Sequence, residues 1–176
     1  MWQFTLIFIA FALFVMYNAV LVLNSGVPKS LSESFYVYEN HRKGLGYVFT
    51  VFLFVMVGLM MPAWLELSDM LNNNFTFLVF LSMASFTFVA TAPAFKINPM
   101  TSAVHNIGAW VGAVCALLWC FIVCSHIWWI SLIAALIPVF IYIFSCQDKT
   151  TITYWLELIA FSVIFATIIT ASILLP

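Results

Sequence analysis

Charge is what this sequence lacks. Only 6% of its 176 residues are Asp, Glu, Lys or Arg, against about 25% in an ordinary soluble domain. Five Lys/Arg and six Asp/Glu leave a formal charge of −1, so there is no basic field to attract nucleic acid. A water-soluble surface cannot be built from so few charges at this length. With 66% of residues hydrophobic, the composition excludes a soluble enzyme, a DNA-binding module and a disordered tail. It reads as one integral membrane domain covering residues 1–176. Cysteine is also scarce. Cys115, Cys120, Cys124 and Cys146 lie in or at the ends of apolar stretches, as buried thiols do, and do not resemble a disulfide framework.

Long apolar runs are what the chain has instead. A helix rises 1.5 Å per residue, so about 20 apolar residues cross about 30 Å of hydrocarbon. Six runs pass, at about 2–24, 45–66, 75–94, 103–124, 127–146 and 152–175. Residues 97–147 contain no formal charge. That stretch is too long for one crossing and fits two, turning at Ser125-His126. Backbone groups find no water in lipid, which makes helices the expected form. The alternation expected of a membrane β-barrel is absent. The predicted fold is therefore all-α, a six-helix transmembrane bundle. The first run lacks a basic leader and is longer than a signal-peptide core, so it reads as a retained helix.

The basic residues orient this bundle. Lys29, Arg42 and Lys43 follow the first span, Lys96 the third and Lys149 the fifth. With six spans all five fall on one side. By the positive-inside rule, loops 1, 3 and 5 are cytoplasmic and both termini extracytoplasmic, in the cell (inner) membrane. Loop 1 is the only sizeable connection. Ser30 and Glu33 have capping-box spacing, and Leu31, Phe35 and Tyr38 recur at helical intervals before Gly44. This predicts a short interfacial helix whose His41, Arg42 and Lys43 meet lipid headgroups; the alternative is an irregular solvated loop.

Two ionisable residues stand out within the spans. Glu157 lies about 8 Å below the cytoplasmic end of the sixth span, where an acid needs a partner, a hydrated cavity or protonation. His105 begins the fourth span at a comparable depth. It shares a face with Gly108, Gly112, Cys115 and Ala116, and Gly108-x-x-x-Gly112 permits close helix approach. The two side chains are expected in the bundle interior, within reach of a direct or water-bridged hydrogen bond, as a ligand or proton site. For each, a structural hydrogen bond is the competing explanation. Ala84, Thr87, Thr91 and Ala94 form a further small-residue stripe on the third span, suited to helix packing. Pro62 and Pro93 are expected to kink or end their helices. Asn74-Phe75-Thr76 fits the glycosylation pattern but abuts a helix start.

Enzyme signatures are missing. His105 and His126 stand about 31 Å apart along a helix axis, too far to share a haem iron. His41, His105, Asp148 and Glu157 have no diagnostic zinc spacing, and neither a nucleophile elbow nor a phosphate loop is present. No metal, cofactor or catalytic residue is assigned. The Gly/Pro-broken helices of many transporters are also missing.

Ala92-Pro93-Ala94-Phe95 followed by His105-Asn106-Ile107-Gly108-Ala109 resembles the H-x-x-G-A helix start of the Frag/DRAM/Sfk-type six-helix membrane superfamily and its small bacterial and phage relatives. Pro28-Lys29-Ser30-Leu31-Ser32 with Phe35 and Tyr36, and Pro62-Ala63-Trp64-Leu65-Glu66, are similar to the same small proteins. The resemblance implies a six-helix fold and a connection to membrane lipid, with His105 at the family histidine; it transfers no catalytic role. The resulting expectation is a non-enzymatic multi-pass protein that binds lipid or a partner membrane protein, a homo-oligomer included, and no nucleic acid. The alternative is an intramembrane enzyme or proton-linked small-solute permease using His105 and Glu157.

Overall fold

The computed structural model describes residues 2–71, 74–145 and 148–174. The elements are α1 (Trp2–Ser25), α2 (Ser34–His41), α3 (Tyr47–Met70), α4 (Thr76–Thr91), α5 (Pro99–Val123), α6 (Trp128–Ser145) and α7 (Ile152–Leu174). Short 3-10 turns at Ser125–Ile127 and Lys149–Thr151 lead into α6 and α7. Among the described residues there is no strand. Five helices are long and apolar enough to cross a membrane. The protein is a helical membrane bundle.

Local chemistry explains where the helices depart from the apolar runs. The third run stops early, and α4 has 16 residues, about 24 Å. Pro93 disfavours helical geometry at the residue before it, so the helix ends at Thr91. The next helix starts four residues earlier than its apolar run. Asn98 Oδ1 accepts the Thr101 N–H at 2.7 Å, and Pro99 occupies the first helical position, where its missing N–H costs nothing. The second run extends in the other direction. Pro62 neither ends nor interrupts α3, which continues to Met70.

α1, α3, α4, α5 and α7 pack successively, and α7 returns to α1, closing a five-helix ring. The core inside it includes Ile7, Leu21, Phe49, Trp64, Trp119 and Phe165, all nearly inaccessible. Trp64 and Trp119 meet edge to face at 5.3 Å. α6 packs chiefly on α7 and stands outside the ring. Its buried stripe is Ser131, Ala134 and Pro138, while Leu132, Ile133, Leu136, Ile137 and Phe140 face outward.

Gly108 and Gly112 place α5 against α4. A Cβ at Gly108 would lie 2.9 Å from the Ser85 carbonyl, and one at Gly112 would lie 2.9 Å from the Phe86 ring. The Ser82 hydroxyl donates to the Gly112 carbonyl at 2.9 Å between the same helices. The expected threonine stripe is not what α4 presents there. Thr87 is half-buried and donates to Met83 O, whereas Thr91 is exposed and donates to Phe88 O. Each hydroxyl is satisfied within its own turn, a common resolution in helices. Ser82, Ser85 and Val89 are buried instead.

Candidate functional site

Loop 1 forms a helix, but one knitted into the end of the ring. Residues 31–33 make a tight turn of i→i+3 bonds before α2, including Glu33 N–H to Ser30 O and Ser34 N–H to Leu31 O. Ser30 Oγ accepts the Glu33 N–H at 3.2 Å, the first half of the expected capping box, but it closes this turn and not α2, whose N-cap is Glu33. The reciprocal half is lost because the Glu33 carboxylate pairs with Lys96. Leu31 and Phe35 are buried in the core and Tyr38 is half-buried. Gly44 adopts a φ of +90° as the chain leaves α2, and the Glu39 carboxylate accepts the Gly44 N–H at 2.8 Å and the Gly46 N–H at 3.1 Å.

Three groups of contacts hold this segment. Toward α1, the Tyr17 and Ser34 hydroxyls lie 2.6 Å apart, and Ser34 donates to Leu31 O at 2.6 Å. Toward the α4–α5 connection, Lys96 N–H donates to the Tyr36 hydroxyl at 2.6 Å, while its ammonium pairs with Glu33 and lies 4.7 Å from the Tyr36 ring centre. Toward α7, Tyr154 N–H donates to Lys29 O at 3.0 Å, and Glu157 Oε2 accepts the Leu31 N–H at 2.5 Å. Tyr154 also donates its hydroxyl to Asn18 Oδ1 at 2.9 Å, deeper in the bundle.

Glu157 therefore finds a main-chain partner. Beside it lies a cavity of about 60 Å³ bounded by α3, α4, α5, α7 and the loop-1 turn. Leu31, Ser32, Phe49, Phe86, Ala113 and Phe161 are among the residues around it. That volume matches about two waters at liquid density. A second, smaller apolar void continues along Met56, Met60 and Met83.

His105 is also buried, at 3% exposure, but its surroundings differ. Its Nδ1 lies 2.9 Å from the Ala92 carbonyl. A carbonyl only accepts, so Nδ1 carries the proton. The imidazole stacks on Phe95 with ring centres 4.4 Å apart. Among the described residues no direct hydrogen bond joins His105 to Glu157, the first of the two expected forms (direct or water-bridged); each side chain bonds a backbone atom. His105 holds the α4–α5 corner, whereas Glu157 holds loop 1. Ala109 and Ala113, one and two turns beyond His105, are the α5 residues that reach the cavity.

The remaining candidates lie where charge meets solvent. His41, the last residue of α2, and Arg42 and Lys43 after it are exposed, and His41 Nε2 is 3.5 Å from Ser25 Oγ. The connections bearing Lys29, Lys96 and Lys149 converge on the same end through the contacts above. Asp148 caps the turn there, accepting the Thr150 N–H and hydroxyl, each at 2.8 Å. These bonds, with Lys29 nearby, hold its carboxyl below the usual range. Cys115, Cys120 and Cys124 are buried free thiols, while Cys146 lies outside the described residues.

Side-chain spacing missed Tyr17, Asn18, Ser34 and Tyr154 as parts of the loop-1 anchorage. Asn18 was the available signal: an amide in an apolar run needs a partner. It satisfies its own donor at Phe14 O, 2.8 Å away, and accepts from Tyr154. Comparison with protein-family models, with curated proteins and with solved structures gives no match to this chain.

Proposed function

We propose that the chain is a non-enzymatic, multi-pass protein of the cytoplasmic membrane that binds lipid at the end of the bundle formed by loops 1, 3 and 5. The observation carrying this reading is the convergence of the basic connections on one end, with His41, Arg42 and Lys43 exposed at the end of the anchored α2. Cationic side chains at a cytoplasmic interface attract anionic headgroups, by about 1 kcal/mol each. In this reading α4 also crosses, as the third of six spans, its short apolar helix extended by its flanks. Both termini are extracytoplasmic, and α2 is an interfacial helix whose Phe35, with Leu31 of the preceding turn, faces into the bundle. Kinship with the Frag/DRAM/Sfk-type superfamily is part of the same proposal.

The test is native mass spectrometry of protein extracted with its membrane lipids. Anionic lipid should co-purify with the wild type and be reduced in a doubly substituted Arg42→Ala, Lys43→Ala protein of unchanged melting temperature. Equal anionic lipid in both overturns the headgroup assignment.

A second reading, an intramembrane enzyme or proton-linked permease using His105 and Glu157, is favoured by the cavity beside Glu157. Glu157→Gln and His105→Ala separate the two. Lower thermal stability with unchanged bound lipid would make both residues structural.

A further inference from the structure

We infer that the cavity beside Glu157 is a binding site for a small primary ammonium group. The inference rests on the Glu157 cavity and is independent of headgroup binding at Arg42 and Lys43. An ionised carboxylate offers about four acceptor sites on its two oxygens. Among the described residues Glu157 accepts one hydrogen bond, from Leu31 N–H. The cavity next to it is lined mainly by apolar side chains, three of them phenylalanines: Phe49, Phe86 and Phe161.

The missing complement to such a carboxylate is a cation with several N–H donors and an apolar stem. A primary ammonium supplies three donors, and aromatic rings attract a cation through their quadrupoles. At about 60 Å³ the space accepts a methylammonium-sized group. A bare metal ion is a poorer complement. Calcium takes 6–8 oxygen ligands and magnesium keeps a nearly octahedral shell, and among the described residues no group of three His, Cys, Asp or Glu is placed to hold a metal. A buried ion pair repays its desolvation only when the remaining sites on both partners are met: the carboxylate can take two of the ammonium's donors, and the third faces the hydroxyl-bearing Ser32 and the phenylalanine rings. The same CH2–NH3+ unit occurs in free alkylamines and in the ethanolamine headgroup of phospholipids.

Thermal melting in lipid nanodiscs tests this assignment. In phosphatidylcholine discs, methylammonium chloride should raise the melting temperature saturably, beyond the effect of equal potassium chloride or tetramethylammonium chloride. Glu157→Gln removes the charge and should abolish the response. Ala113→Leu leaves the acid but fills the cavity and should do the same, so the test survives if either variant folds poorly. Replacing phosphatidylcholine by phosphatidylethanolamine distinguishes the sources. A higher starting melting temperature with no further response to methylammonium assigns the lipid headgroup, whereas unchanged melting with the response retained assigns a free amine. A wild-type response to methylammonium no larger than to potassium overturns the proposal, as does an undiminished response in both variants.

Discussion

Glu157 and Leu31, 126 positions apart, meet through a single hydrogen bond of 2.5 Å from the Leu31 amide to the Glu157 carboxylate. The bond fixes the first turn before α2 to α7 and leaves the acid at the wall of an apolar cavity. A main-chain donor leaves the register of loop 1 little freedom, because a shift by one residue moves that amide away from the carboxylate.

Removing the acceptor should release loop 1. Glu157→Ala leaves the buried Leu31 amide without its partner and should cost about 1–3 kcal/mol. Glu157→Gln keeps an acceptor oxygen and should cost less. Hydrogen exchange at the Leu31 amide checks the assignment, with faster exchange in the alanine variant than in the glutamine variant.

The two glycines of α5 should differ in their tolerance of alanine. At Gly108 the added Cβ meets a backbone carbonyl, Ser85 O at 2.9 Å, whereas at Gly112 it meets the Phe86 ring. A ring can turn more readily than a helix backbone can retreat. Gly108→Ala should therefore destabilise by about 1–3 kcal/mol and Gly112→Ala by less, as read from thermal melting in detergent.

α6 is held to α7 partly by the Ser131 and Thr167 hydroxyls, 2.8 Å apart and buried. Interhelical hydrogen bonds in membrane proteins average about 0.6 kcal/mol in double-mutant cycles. A cycle of Ser131→Ala and Thr167→Val should yield a coupling of that order. A coupling near zero would leave the contact to packing alone.

Acid should weaken the turn before α7. The Thr150 backbone N–H, then the Thr150 hydroxyl and Lys29, hold the Asp148 carboxyl below its usual range. A carboxyl depressed in the folded state contributes stability above its unfolded value, near 3.9. It loses that contribution as pH falls through the folded value. The melting difference between the wild type and Asp148→Ala should thus be constant near neutrality and shrink only below about pH 4.

Orientation has its own measurement. A tag at the carboxyl end should react with impermeant reagents added to intact cells, as the positive-inside argument requires. Labelling seen only after lysis would reverse the proposed sidedness.

The apolar runs made the helical membrane fold readable, because backbone satisfaction in lipid leaves few other forms. Their ends were less readable where caps override hydropathy. Asn98-Pro99 starts α5 before the apolar run does, and Pro93 shortens α4. The position of α6 outside the ring had a sign that went unused: Ser131, Ala134 and Pro138 share one face at helical spacing and are what α6 buries, while its large apolar side chains face outward. Of the two side chains expected inside the bundle, His105 is buried and Glu157 part-buried. Their bonds to Ala92 O and Leu31 N–H involve backbone atoms common to every residue, so side-chain identity carried no sign of them.

The peripheral place of α6 bears on how the protein is made. Ribosomal synthesis delivers α6 before α7, the helix it chiefly packs against. On entering the bilayer it must persist without that neighbour, surrounded by acyl chains, and its outward Leu132, Ile133, Leu136, Ile137 and Phe140 suit it to do so. Ring closure then waits for α7, the helix that joins α5 back to α1.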